Sequence, residues 1–421
     1  MEKIVIRGGI PLKGSVMVSG SKNAALPLMC ASLLSTDEMT FHRVPALRDI
    51  RTTKQLLLQL GVQLDDFTPG TLRIKAREII DHIAPYELVK TMRASVMVLG
   101  PLMAREGRAD VSLPGGCAIG ARPIDQHLKG LEAMGATIEL ENGYIKARAK
   151  RLEAADFTFD LKTVTGTENL IMAAALAKGT TVLRNCAIEP EITELTHVIN
   201  RMGGCITGAG TDTIVIEGKD RLQGIVHEVM PDRIEAGTFI MAACITRGDI
   251  TVTECNPEHL AALLEKLEDA GLKLETSERQ VRVISNGRVK SRNIETNPYP
   301  GFATDFQAQY MALMALGDSG CNITENVFEN RFMHVQELVR MGARIRISGR
   351  VARVEGVKEL SGAHVQATDL RASASLILAG LSAKGVTEIH RVYHLDRGYE
   401  HIEEKLANLG ADISREKDDM L

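Results

Sequence analysis

The segment LPGGCAIGARPID, residues 113–125, sets one thiol, Cys117, among Gly115, Gly116 and Gly120, with Arg122 five residues on. Glycines at that density mark a loop with unusual dihedrals or one that a ligand approaches closely. An arginine and clustered backbone amides bring a thiol's pKa toward working pH, which suits a proton donor or a nucleophile. The competing reading is a small buried hydrophobe, and it fits Cys30, Cys244 and Cys321, in their apolar surroundings, better than Cys117. Papain-type hydrolysis is the weaker alternative, because His127 is the one histidine near Cys117 in sequence and no Ser/His/Asp set is suitably placed.

A second group of polar residues opens Ala-rich apolar stretches: Lys22 and Asn23, Arg93, Asn169, Asp232 and Arg233, Asp305, Asp369 and Arg371. Asp232, Asp305 and Asp369 each stand where a helix N-cap carboxylate would. Arginine does not cap a helix N-terminus, and its charge beside the positive end of the macrodipole is unfavourable unless an anion or carboxylate joins it. Arg122, Arg331 and Arg397 lie beside turn glycines or helix starts, and their planar forks suit phosphates and carboxylates. Taken singly, each also reads as a surface ion pair. GSKNAAL, residues 20–26, could set Lys22 and backbone amides against a phosphate, although the full GxxxxGK[ST] pattern is missing and no GxGxxG follows a strand. His390 and His394 have i,i+4 spacing but sit in a strand-and-turn pattern, so neither a metal nor a cofactor is predicted.

The elements that must position these residues recur. A hydrophobic-Gly-hydrophobic turn appears six times, at Gly61, Gly135, Gly203, Gly271, Gly342 and Gly410, spaced by 74, 68, 68, 71 and 68 residues. Each reads as a helix C-cap, where glycine takes the left-handed conformation and the chain reverses into a strand. Before each lies an Ala-rich helix whose small side chains on all faces imply burial. A short strand, an amphipathic helix and two strands complete the unit. Six such units divide into two globular domains of three, far larger than solenoid repeats. The boundary falls near Gly218–Pro231, where EGKDRLQGIVHEVMPD reads as a linker, while the first strand could join either domain.

Composition narrows the function classes. With 421 residues, 44% hydrophobic, 25% charged, 4% aromatic and no Trp, the chain reads as an α/β globular protein with an aliphatic core. A net charge of -4 gives no overall footprint for nucleic acid or anionic membrane. Seven scattered cysteines without a CxxC pair read as reduced thiols. The N-terminus lacks a secretory apolar region, so Met1 is expected to begin the mature protein. The longest apolar run, near Ala24–Leu34, is too short to span a membrane and contains Pro27, which points to the cytoplasm.

GSKNAALPLM, LPGGCAIGARPID, PDRIEAGTF, TDFQAQYMAL, ENVFENRFMHV, ATDLRASASL and YHLDRGYEHIEEKL, in that order, resemble the segments of the enolpyruvyl transferase family that acts on UDP-N-acetylglucosamine. The resemblance covers essentially the whole chain. It implies two inside-out α/β barrel-like domains, each of three repeated β-α-β-α-β-β units, with the active site in the cleft between them. Residues 22–229 would form the N-terminal domain carrying the Cys117 loop, and residues 1–21 with 230–421 the C-terminal one. The implied reaction moves enolpyruvyl from phosphoenolpyruvate to the 3-hydroxyl of UDP-N-acetylglucosamine and releases phosphate, the first committed step of peptidoglycan synthesis. These two small molecules are the implied partners.

By the same resemblance, Cys117 matches the proton donor, a thiol that an epoxide such as fosfomycin would alkylate. Asp305 matches the residue that meets the attacking hydroxyl. Its position at a helix start argues for a low pKa, and so for orienting the hydroxyl more than for strong basicity. Lys22, Asn23, Arg122 and Arg397 would hold phosphoenolpyruvate. Asn23, Arg93, Arg122, Pro123, Ile124, Asp125, Gln126, Asp305 and Val327 would contact the nucleotide sugar, with Arg331, Asp369 and Arg371 in support. Two rivals remain: the sister transferase acting on 3-phosphoshikimate, which has no cysteine in the corresponding loop, and a non-catalytic anion-binding repeat protein in which Cys117 is inert.

Overall fold

The computed structural model describes residues 2–113 and 124–418. Its described residues form two compact units, one of residues 20–113 and 124–230, the other of 2–19 and 231–418. Each has its own aliphatic core.

Both units are built from one sheet topology used three times: a short edge strand parallel to a second strand, then two antiparallel strands. In the 20–230 unit, Ile83–Ala84 runs parallel to Arg108–Ser112, which pairs antiparallel with Tyr144–Arg148 and through it with Thr137–Glu141. Alternate residues of each sheet are buried, as in Met39 and Phe41, Ile214 and Ile216, or Val281 and Val283, so every sheet turns one face to its core. Under those faces lie three apolar helices per unit, Lys22–Ala31, Leu99–Glu106 and Val164–Ala174 in one, Arg233–Thr246, Gln307–Met314 and Leu370–Ser382 in the other. All 14 residues of Arg233–Thr246 are buried, as the Ala-rich pattern predicts. These apolar helices lie inside and the sheets outside, with six β-α-β-α-β-β repeats among the described residues.

The chain closes these repeats in permuted order. The first strand, Glu2–Arg7, pairs with Val386–His390 and Asp412–Lys417 and completes the last repeat, while Lys13–Met17 supplies the edge strand beside Asp249–Thr253. Conversely, Val226–Glu228 runs parallel to Glu38–His42 and completes the first repeat of the 20–230 unit. The stretch expected to be a linker is therefore part of a sheet. Its strand Val226–Glu228 pairs with Thr40, Phe41 and His42, a register too short to leave an apolar alternation in the sequence.

The six turn glycines have φ between +87° and +97°. At Gly135, Gly203, Gly342 and Gly410 an added Cβ would meet no atom within 4 Å, so the backbone angle, not crowding, selects glycine there.

Candidate active site

In the 231–418 unit, Asp305 pairs with two of the expected site arginines, Arg331 and Arg371. It lies in a 3-10 turn, Thr304–Phe306, that leads into Gln307–Met314, and no side chain caps that turn. The N-cap role expected for Asp305 is thus not seen, although Asp232 and Asp369 do cap: Asp232 accepts from the N–H groups of Ile234 and Glu235, and Asp369 from those of Arg371 and Ala372. The Asp305 carboxylate instead accepts from Arg371 Nε at 2.8 Å and Arg331 at 3.0 Å, both on Oδ1. Burial alone would raise its pKa, but the two guanidiniums outweigh it and hold the carboxyl well below the usual range. The low pKa expected from sequence is present, with the arginine pair as its main cause. Arg331 and Arg371 are 5% exposed, so neither is a surface ion pair. Arg371 owes its strongly raised pKa chiefly to Asp305, which overcomes the opposing effect of burial.

Two side chains that the sequence did not single out hold this cluster. Thr238 donates its hydroxyl proton to Ile234 O at 2.8 Å, so Tyr399 must donate to Thr238 across 2.9 Å. The Tyr399 oxygen is then left to accept from Gln309 at 3.2 Å and from Arg371 at 3.3 Å. The other is buried Glu325. One of its oxygens accepts from Thr296 and the N–H groups of Val327 and Phe328, the other from Thr304, whose hydroxyl in turn accepts from Arg331 at 2.9 Å. Glu325 thereby fixes the turn that carries Val327 against the one that carries Asp305. Only its place two residues before Val327 in ENVFENR could have flagged it. Arg233, just inside the helix capped by Asp232, lies over the Tyr299 ring at 5.6 Å. Arg397 ends the 3-10 segment Val392–Arg397 and is half-buried.

In the 20–230 unit, Lys22 is buried at the start of its helix, which Ser21 caps through Ala24 N–H. Its Nζ lies 3.2 Å from Asp49, in the first turn of Arg48–Gln59, a partner that sequence reasoning missed because no local pattern links the two. Asn23 beside it is half-buried. Ile124 precedes helix Asp125–Ala133, and buried Gln126 donates to Asp125 at 3.1 Å and Asp160 at 2.9 Å. Gln126 also accepts from Asp160 N–H at 2.8 Å, which ties the helix to the strand Asp156–Thr158 nearby.

Asn169 does not open a helix as expected. It lies inside Val164–Ala174, accepts from Gly100 N–H at 2.7 Å, and bonds His127 Nδ1 at 2.9 Å. Burial first, and the neighbouring charge of Arg93 second, push the His127 pKa down to about 4, so this imidazole is neutral at working pH. Arg93 begins a 3-10 segment, Arg93–Val98, and not an α-helix.

Cys117, Arg122 and Pro123 lie outside the described residues. Cys30, Cys244 and Cys321 are buried, and burial pushes their thiols up, to about 12 for Cys30 and about 11 for Cys321, as the buried-hydrophobe reading requires.

Six identical topologies in two units, with small-residue helices inside, define the class. The family described as EPSP synthase (3-phosphoshikimate 1-carboxyvinyltransferase) matches residues 6–406, and the chain belongs to it. Among solved structures, the enolpyruvyl transferase NikO from Streptomyces tendae shares the fold with a TM-score of 0.88, 25% identity and 98% of each chain covered. An EPSP synthase from Acinetobacter baumannii, at 17% identity and TM-score 0.76, covers 99% of this chain and 100% of its own and shows the same fold. The more similar sequence relatives carry a more particular name. UDP-N-acetylglucosamine 1-carboxyvinyltransferase of Anaeromyxobacter sp. is 58% identical, and that of Geobacter metallireducens 59%, each over 99% of this chain and 100% of its own length.

Proposed function

We infer that this chain transfers the enolpyruvyl group of phosphoenolpyruvate to the 3-hydroxyl of UDP-N-acetylglucosamine and releases phosphate, the first committed step of peptidoglycan synthesis. The observation that carries this is the near-60% identity, over whole lengths, to relatives bearing that enzyme's name. The cysteine in LPGGCAIGARPID supports the nucleotide sugar over 3-phosphoshikimate as acceptor.

In this reading a proton from Cys117 is added to C3 of phosphoenolpyruvate, and C2 becomes cationic enough for the sugar hydroxyl oxygen to attack. The C2–O bond to the sugar forms as the hydroxyl O–H bond breaks, its proton passing to a phosphate oxygen, and a tetrahedral adduct results. Return of a C3 proton to the Cys117 thiolate and cleavage of the C2–O bond to phosphate, which leaves with the hydroxyl proton, restore the double bond. A positioned general acid contributes about 10²–10⁴-fold. Lys22, Asn23, Arg122 and Arg397 neutralise the phosphate and carboxylate. Asn23, Arg93, Arg122–Gln126 and Val327 hold the nucleotide sugar. Asp305, kept ionised by Arg331 and Arg371, accepts a hydrogen bond from the attacking hydroxyl and aims its oxygen, while Asp369 holds the helix that carries Arg371. So low a pKa makes Asp305 a weak base, and orientation is its principal contribution.

Both substrates are small molecules, and the cytoplasm is the proposed compartment. No helix among the described residues is long and apolar enough to cross a membrane. The test is phosphate release from phosphoenolpyruvate with UDP-N-acetylglucosamine, with 3-phosphoshikimate, and with no acceptor. Release with the nucleotide sugar alone is expected. Release with phosphoshikimate alone would transfer the activity to the sister reaction, and release with neither would leave an anion-binding protein.

A further inference from the structure

Outside the set of residues assigned to the reaction, the last sheet of the 231–418 unit brings two histidines and a carboxylate together. The edge strand His364–Gln366 runs parallel to Val386–His390 with His364 opposite Glu388, and His390 lies two residues further on the same face. His364 Nδ1 is 3.4 Å from His390 Nε2 and 3.6 Å from Glu388 Oε2, and all three ligand atoms lie within 4.8 Å of one another. In a tetrahedral site with metal–nitrogen bonds of about 2.0–2.1 Å, neighbouring ligand atoms stand about 3.3 Å apart, so the two shorter edges are already near those of a metal tetrahedron.

Behind His390 stands a second feature of such sites. Its Nδ1 lies 2.7 Å from Oδ2 of buried Asp418, which accepts the Nδ1 proton and leaves the Nε2 lone pair directed toward His364. A carboxylate behind a histidine fixes the tautomer and orientation of a metal-binding imidazole in this way. The two rings are nearly parallel, 14° apart. The cation facing the cluster is Lys3, 2.6 Å from Glu388 Oε2, and a carboxylate has lone pairs for both an ammonium and a metal.

We propose that His364, Glu388 and His390, with Asp418 behind His390, form a site for a divalent transition cation of the zinc, nickel or cobalt class, with a fourth position open to water. Two imidazoles and one carboxylate suit that class better than calcium or magnesium. Filling the site would pin the edge strand to the sheet and, through Asp418, fasten the end of Asp412–Lys417.

The test titrates the full chain with Zn²⁺ by calorimetry and with Co²⁺ by visible absorption, and repeats both with His364→Ala, Glu388→Gln and Asp418→Asn. His364 has a 61% exposed side chain, so its truncation leaves the fold intact even if the Asp418 variant unfolds. One equivalent should bind, weaker by at least about tenfold in His364→Ala and Glu388→Gln and by about 10–100-fold in Asp418→Asn. Zn²⁺ should raise the melting midpoint of the wild type and not of His364→Ala. Equal binding by wild type and His364→Ala, a thiolate-to-cobalt charge-transfer band that places the metal on cysteine, or no binding at millimolar Zn²⁺ would each overturn the proposal.

Discussion

Replacing His127 with Gln should flatten the dependence of stability on pH below neutrality. Folding holds the His127 pKa at about 4 against an ordinary 6.5, so in mild acid the unfolded chain takes up a proton that the folded chain refuses. Stability from this group is complete above the unfolded value, falls as pH drops through it, and levels off below the folded value. Linkage over that shift gives a loss of about 2 kcal/mol from about pH 8 to pH 5, approaching about 3 kcal/mol near pH 3. Gln keeps an amide that can bond Asn169 but carries no titrating proton. The variant is less stable at neutral pH, and its urea-derived unfolding free energy should decline by about 2 kcal/mol less than the wild type's between the same limits. His334, buried and also pushed down, is common to both proteins and cancels. Parallel declines, or a His127 ring resonance that titrates near its ordinary value, would refute the burial argument.

Asp305→Asn should lower kcat by about a hundredfold without changing the shape of its pH profile, since the wild-type carboxylate stays ionised throughout the working range. If the variant lost an acidic limb seen in the wild type, Asp305 would be a base of raised pKa, and the two-arginine argument would fail. Tyr399→Phe strips Arg371, Gln309 and Thr238 of a shared partner and should cost about 1–2 kcal/mol in urea unfolding; an unchanged midpoint would show that the hydroxyl does not hold them. At Gly203, with φ of +97° and open space around it, alanine should cost about 1 kcal/mol from backbone strain alone, and no loss in thermal unfolding would show that the turn relaxes. Cys117→Ser should retain nucleotide-sugar binding in calorimetry while turnover falls about a hundredfold or more, and undiminished turnover would remove the thiol from proton donation.

What could be read from the sequence was what a residue does to its own neighbourhood. The six turn glycines announce themselves because a left-handed φ is a local demand, and the buried helices because small side chains on every face leave no polar side to expose. Asp232 and Asp369 were legible as caps for the same reason, since the N–H groups they accept from lie two and three residues on. Asp305 has the same local appearance and a different role, because its partners Arg331 and Arg371 are 26 and 66 residues away in sequence and only the packing of successive repeats brings them to it. The same distance hides the pairing of Lys22 with Asp49, the hold of Tyr399 on Arg371, and the use of Val226–Glu228 as the missing edge of the first repeat. A repeat protein sharpens this contrast. Asp232, Asp305 and Asp369 open their copies alike, so what packs against each decides which becomes a cap and which a charge cluster. The six openings thus yield two aspartate caps, a lysine held by an aspartate, one carboxylate shared by two arginines, an arginine at the start of a 3-10 segment, and an asparagine inside its helix.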